Sequence, residues 1–416
     1  MTYAKLINSY PESIKVFKIE KRVELIVHGQ CVFIFKNNEN IQPCYFTIYD
    51  KEHKNGLRVE FTLDSVKVNC IQSNMPLIDK NNKSGLSKLD GAYYWFSLDS
   101  QNMVISAGIG EARIDTSIYK YQFVNSDSKK FLESLEVIRF NENDSIKPMR
   151  LLRDPITSTI PLLVKDTNKL SMDDVASGKI LPNANLSLTS QKLYNCISGK
   201  RFVLNDEDFP DFSKAIEYSI ATPGLWCYER LKQKANEFSK DKPNPLETYL
   251  RITLGENNGE SPGIPYVMEI WPVAHYSPIH NHGGADAVIR VLHGEIDVSL
   301  FPFLSDKVGS FASHTFNKED VTWISPTLNQ VHQLCNLGKE TCVTIQTYMY
   351  DNKDNTHYDY FDYIDDNSKK QQYEPDSDMD FVDFKNQMKK EWEARPLSFF
   401  EICTEFCWQM YGQPEL

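Results

Sequence analysis

The residues of this chain best suited to chemistry are three histidines. His280 and His282 stand two apart in Ser277-Pro278-Ile279-His280-Asn281-His282, and His332 follows fifty residues later. Side chains two apart on a strand share a face, because strand side chains alternate. A third histidine brought over by a neighbouring strand completes three neutral imidazoles on one side of a metal ion. Such a set leaves coordination positions open for substrate or oxygen. Six of the nine histidines fall between His275 and His332, both included, and this clustering is a stronger signal than any single histidine.

The surrounding segments must place these residues. Residues 249–254, 266–271, 287–292, 296–300, 321–324 and 343–348 read as short strands without intervening helices, the pattern of a small barrel or jelly roll. On the last of them Thr344, Gln346 and Tyr348 share one face, and Val343, Ile345 and Thr347 the other. A polar face opposite a mostly apolar one suits a barrel lumen that holds a site. On the first, Tyr249 and Arg251 share a face. The Arg251 guanidinium matches a carboxylate in two-pronged fashion, and a structural ion pair on a barrel strand is the other reading.

The wider organisation is mainly β. Residues 1–150 contain short strands at regular intervals, with polar turns between them, and predict an antiparallel β-sandwich. This part shows no metal or nucleophile constellation. Residues 151–205, with Pro155, Pro161, Pro182 and many Ser, Asn and Asp, read as a connecting region with little regular structure. In the barrel domain, 206–365, Phe209, Phe212, Ile216 and Ile220 form a helical stripe, and Tyr228, Leu231, Ala235 and Phe238 a second one. A C-terminal helical extension, 366–416, carries the stripe Phe381, Phe384, Met388 and Trp392 and a further helix over 397–411. An acidic, tyrosine-rich run around 358–363 precedes it. The N-terminal domain or the C-terminal helices are candidate surfaces for a homo-oligomer.

Composition narrows the partners. The chain has 416 residues, 41% of them hydrophobic, and a formal net charge of -12. Without a basic block it is not expected to bind nucleic acid or an anionic membrane. No run of about 18 apolar residues exists to span a bilayer, and the N-terminus has no signal-peptide pattern. The nine cysteines are odd in number and scattered, which points to a reducing, cytoplasmic location rather than a disulfide framework. Cys403-x3-Cys407 can be read as half of a zinc site, but no second Cys/His pair lies near it and the segment reads as helical, so metal binding is not expected there.

The two histidine segments together resemble the paired motifs of cupin barrels. Trp271, His275, Ser277, Ile279, His280 and His282, then Leu292, Gly294, Leu300 and Phe301, with Tyr249-x-Arg251 upstream, are similar to the cysteine dioxygenase (thiol dioxygenase) branch. The resemblance covers roughly residues 195–360. Residues 94–99 with Gly108-Ile109-Gly110-Glu111 faintly resemble the β-sandwich modules labelled farnesoic acid methyltransferase domains, and a structural or ligand-binding sandwich is the simpler reading there.

The thiol dioxygenase resemblance implies iron(II) held by His280, His282 and His332. Arg251 and Tyr249 would bind the substrate, and Tyr348 would act in the active site beside Gln346. The implied reaction oxidises cysteine, or a similar small thiol with a carboxylate, with O2 to the sulfinate. Many cupins place a glutamate ligand four or five residues past the second histidine, where this chain has Asp286 and Ala287. Alternation should turn Asp286 away from the site. Ala287 stands where one relative has the cysteine of a cysteine–tyrosine cross-link. Gln346 replaces a histidine that hydrogen-bonds the tyrosine, and glutamine cannot titrate near neutral pH. A non-catalytic cupin, or a dioxygenase for another thiol, is the alternative.

Overall fold

The computed structural model describes residues 14–15, 22–37, 41–79, 84–140, 146–239, 242–255, 266–349 and 361–396. The helix expected over 397–411, Cys403, Cys407 and part of the tyrosine-rich run lie outside the described residues.

The N-terminal part is the expected sandwich. One six-stranded antiparallel sheet orders Ile14–Lys15, Ile146–Leu152, Gln30–Asn37, Tyr94–Asp99, Val104–Ile109 and Ser117–Gln122. The other orders Arg22–Glu24, Leu135–Phe140, Cys44–Asp50, Gly56–Phe61, Val66–Cys70 and Pro76–Leu77. Cys44–Asp50 shows why the chain folds this way: Cys44, Phe46, Ile48 and Asp50 are buried and the residues between them half-buried, so one face meets the core. Across the core Phe46 meets Phe33 at 5.2 Å and Phe96 at 5.6 Å, both edge-on, a favoured aromatic geometry.

The second part is a two-sheet jelly roll. Its large sheet orders Ile180–Pro182, Leu163–Lys165, Val321–Ile324, Asp286–His293, Cys342–Met349, Tyr266–Trp271, Leu250–Leu254 and Met379–Asp380. The smaller sheet holds Ala312–Asn317, Glu295–Leu300 and His332–Cys335. Single bridges at Tyr276–Cys335, His280–His332 and His280–Tyr363 continue it to Phe361–Ile364 and Lys370–Tyr373. Cys342–Met349 is buried along its whole length, because both faces of the large sheet are covered. Val343 and Ile345 pack outward with Leu193, Phe212, Ile216, Leu231, Phe384 and Met388 of the helices. Inward, Val267, Ala287 and Ile289 meet Ile296, Val298 and Leu334 of the small sheet. Of the expected helical stripes, Phe212, Ile216 and Ile220 lie on Phe212–Ala221, Tyr228 and Leu231 on Trp226–Lys234, and Phe381, Phe384, Met388 and Trp392 on Phe381–Glu393, while Phe209, Ala235 and Phe238 fall outside these helices. No helix among the described residues is long and apolar enough to cross a membrane.

The 151–205 stretch carries more regular structure than its composition suggests. It contributes Leu163–Lys165 and Ile180–Pro182 to the large sheet, and its helix Leu188–Ile197 buries Leu193, Tyr194 and Ile197. Strands of three residues show no period, and prolines flanking them mask the pattern.

The sandwich docks on the jelly roll through the loop after Val104–Ile109. Gly110, at φ 79°, passes so close to Pro302 that a Cβ would stand 2.1 Å from the Pro302 carbonyl oxygen. The next residue, Glu111, donates its backbone N–H to that carbonyl at 2.8 Å.

Candidate metal centre

Strand pairing brings the three histidines together. His280 and His332 face each other across paired backbones, each N–H donating to the other's carbonyl at 3.0 Å. His282 follows on the same side. All three are buried, and one ring nitrogen from each lies within 4.8 Å of the others. The His280 Nδ1–H donates to the Pro278 carbonyl at 3.0 Å, and the His332 Nδ1–H to the Asn329 carbonyl at 3.1 Å. A carbonyl can only accept, so both Nδ1 atoms carry the proton and both Nε2 atoms keep a lone pair. Burial pushes His280 down to about 4 and holds His282 and His332 well below the usual histidine value. All three are therefore neutral near pH 7.

The set fits a metal ion. The Nε2 atoms of His282 and His332 stand 3.2 Å apart. Two lone pairs at that distance repel unless a proton or cation lies between them. Nitrogens bound to one ion at about 2.1 Å are separated by roughly 3 Å.

The remaining predicted residues surround this group. Tyr249, Arg251, Glu269, Trp271, Gln346 and Phe361 line the same small space. Tyr348 stacks on His282 with ring centroids 5.5 Å apart, and its hydroxyl donates to Gln346 Oε1. Tyr249 stacks on Trp271 at 4.3 Å. Ala287 pairs directly with Tyr348 across the strands. Asp286 turns away, as alternation requires, and accepts from Ser187 Oγ at 3.1 Å and Ser190 Oγ at 2.6 Å. His275 accepts from or donates to Thr248 and does not line the space. A second, mostly apolar space adjoins at His332, so this histidine stands between a polar and an apolar half of the lumen.

Glu269 escaped the sequence reading. It is the Cα partner of Arg251 in the sheet, and its Oε1 accepts from Arg251 Nη1 at 3.2 Å. Its other oxygen accepts from Gln346 Nε2. Burial pushes its carboxyl up from the ordinary value, with Arg251 and Gln346 opposing. The wall is thus one chain, Arg251–Glu269–Gln346–Tyr348. A single carboxylate in the apolar strand Tyr266–Trp271, on the face of Val267 and Trp271, was the signal available.

No protein-family model matches the chain, and no curated protein matches it in sequence. Among solved structures it is similar to the Schizosaccharomyces pombe Cnp3 cupin domain, at 16% identity and a TM-score of 0.20, over 25% of this chain and 65% of that one. It is similar at the same identity and TM-score to oxalate oxidase in complex with glycolate, over 24% of this chain and 51% of that one. A cupin 2 domain-containing protein from Halorhodospira halophila matches at 15% identity and a TM-score of 0.20, over 36% and 86%. The match thus spans about two thirds of the first of these chains and half of the second. Likeness at this level adds nothing to the geometry, and the architecture rests on strand order and pairing.

Proposed function

We propose that this protein is a metal-dependent oxygenase of the cupin type, oxidising a small thiol with O2 to the sulfinate on iron(II) held by His280, His282 and His332. One observation carries this reading: three buried imidazoles converge on one space that an arginine, a tyrosine and a glutamine also line. A neutral three-nitrogen set leaves the ion's charge to be balanced by an anionic ligand, and a thiolate suits that role. Bound iron(II) would supply activation of O2 and proximity of the two reactants.

The chain's own residues set the rest. The Pro278 and Asn329 carbonyls hold two imidazoles in the tautomer that leaves Nε2 free. Gln346 fixes the Tyr348 hydroxyl, and because it cannot titrate near neutral pH, that hydroxyl keeps its orientation across the working range. Close packing around the site excludes bulk water. Arg251, with Tyr249 beside it, is the group for a substrate carboxylate such as that of cysteine.

The Arg251–Glu269 pair favours a second reading of the substrate. A guanidinium already facing a carboxylate offers less to an incoming one, and Glu269 is a counter-charge for a substrate amine. The test is oxygen uptake by iron(II)-reconstituted protein with cysteine, cysteamine and 3-mercaptopropionate, with products identified by mass. Uptake above a His280→Ala control, with two oxygen atoms gained, supports the proposal. A preference for 3-mercaptopropionate favours carboxylate recognition, and a preference for cysteamine the second reading. No uptake with a fully loaded site would leave a non-catalytic cupin.

A further inference from the structure

We propose that the N-terminal sandwich is a working part of the metal centre: Glu111 and Arg113 are positioning residues for His332 and act through Asn329. This rests on the metal reading of the three histidines.

Asn329 lies three residues before His332, and its carbonyl takes the His332 Nδ1–H at 3.1 Å. Its φ is 62°, in the left-handed region that asparagine tolerates better than most residues. The direction of a carbonyl follows from the backbone dihedrals around it. Three bonds hold this residue. Glu111 Oε2 accepts the Asn329 N–H at 2.7 Å, Arg113 Nη1 donates to Asn329 Oδ1 at 3.0 Å, and Asn329 Nδ2 donates to the Trp323 carbonyl at 2.9 Å. Two of the three come from the sandwich domain.

The sandwich side is itself firmly held. Arg113 Nη1 also donates to Glu111 Oε1 at 3.0 Å, Nη2 to the Ile160 carbonyl at 3.0 Å and Nε to Asp115 at 3.1 Å. Glu111, Arg113 and Asn329 are 3%, 2% and 2% exposed. A buried ion pair is an expensive way to join two domains, because apolar side chains of similar volume do as well or better. Here each partner of the pair is bonded to one loop residue, and that residue orients a metal ligand. The corresponding anchor of His280, the Pro278 carbonyl, lies within the jelly roll, so of these two ligands His332 is the one whose anchor is held from the other domain.

The experiment uses the full chain, with cobalt(II) as the probe. The dissociation constant is read by competition with a chelator, and the site geometry from the visible absorption of the loaded protein. E111Q/R113M removes both buried charges together, and Asp115, which loses its contact with Arg113, is partly exposed to solvent. It is expected to raise the dissociation constant about tenfold, the lower end for loss of a ligand's supporting contacts, and to shift the cobalt spectrum. R150M loses a different inter-domain contact, that of Arg150 with the Pro326 carbonyl at 3.2 Å, and is expected to match wild type in both. Asn329→Gly keeps the left-handed backbone accessible and drops the side-chain clamps, and is expected to raise the constant as well. It decides the question alone if the double variant does not fold. Wild-type affinity and spectrum in E111Q/R113M, or in Asn329→Gly in that case, would overturn the inference. If His332→Ala itself binds cobalt as wild type does, the metal reading has failed, and this inference with it.

Discussion

Replacing Glu269 with glutamine tests the pair that most sharply qualifies the substrate. Arg251 and Glu269 are 4% and 5% exposed and 3.2 Å apart. Removing one partner of a buried pair typically costs about 3–5 kcal/mol, because the other charge is left facing a low-dielectric interior. The glutamine oxygen still accepts from Arg251, so we predict the lower end, about 3 kcal/mol. For a domain of this size that lowers the melting temperature by roughly 6–12 °C. The double variant R251M/E269Q, with no buried charge at either position, should recover most of the loss, and the cycle isolates the coupling. In E269Q the Arg251 charge has lost its counter-charge, which the carboxylate of 3-mercaptopropionate can supply, so this thiol should raise the melting temperature of E269Q more than that of wild type. Differential scanning calorimetry with and without the thiol reads all three. If E269Q melts within about 2 °C of wild type, or the thiol favours neither protein, the pair does not control the site as argued.

Burial pushes Asp286 up from 3.8 to about 6, so the folded chain holds its proton more tightly than the unfolded one. The resulting stability is fully present below about 3.8, is lost as pH rises through about 6, and amounts to ~2–3 kcal/mol. Asp286→Asn should be more stable than wild type at pH 7 and should flatten this slope, which denaturant unfolding at pH 4 and pH 7 would show. Gly110→Ala would set a Cβ against Pro302 at a positive φ. We predict a loss of about 2 kcal/mol or more, measured by thermal unfolding, and weaker metal binding if domain docking supports the centre. A divalent ion at a hundredfold its dissociation constant should stabilise the fold by about 2.7 kcal/mol, and His282→Ala should abolish that shift in a melting assay.

Where a signal is local, the sequence carried it. The alternation of Cys44–Asp50 and the stripe Phe384, Met388 report which face is buried, and both lie as expected. The spacing of His280 and His282, and the outward turn of Asp286, follow from the same period of two. What pairing creates was hidden. Glu269 acquires its meaning only when the sheet sets it opposite Arg251. Glu111 and Arg113 lie more than two hundred residues from Asn329, and nothing in their neighbourhood announces the contact. The short strands at Leu163–Lys165 and Ile180–Pro182 are held by the sheet they join rather than by their own sequence.

The proposed function requires that His280, His282 and His332 hold one metal ion. X-ray absorption at the metal edge of the iron(II)-loaded full chain tests it directly. One ion per chain is expected, with the outer-shell scattering of three imidazole rings, and loss of that signal in His332→Ala. A loaded protein with fewer imidazole ligands, or one whose signal survives His332→Ala, would contradict it.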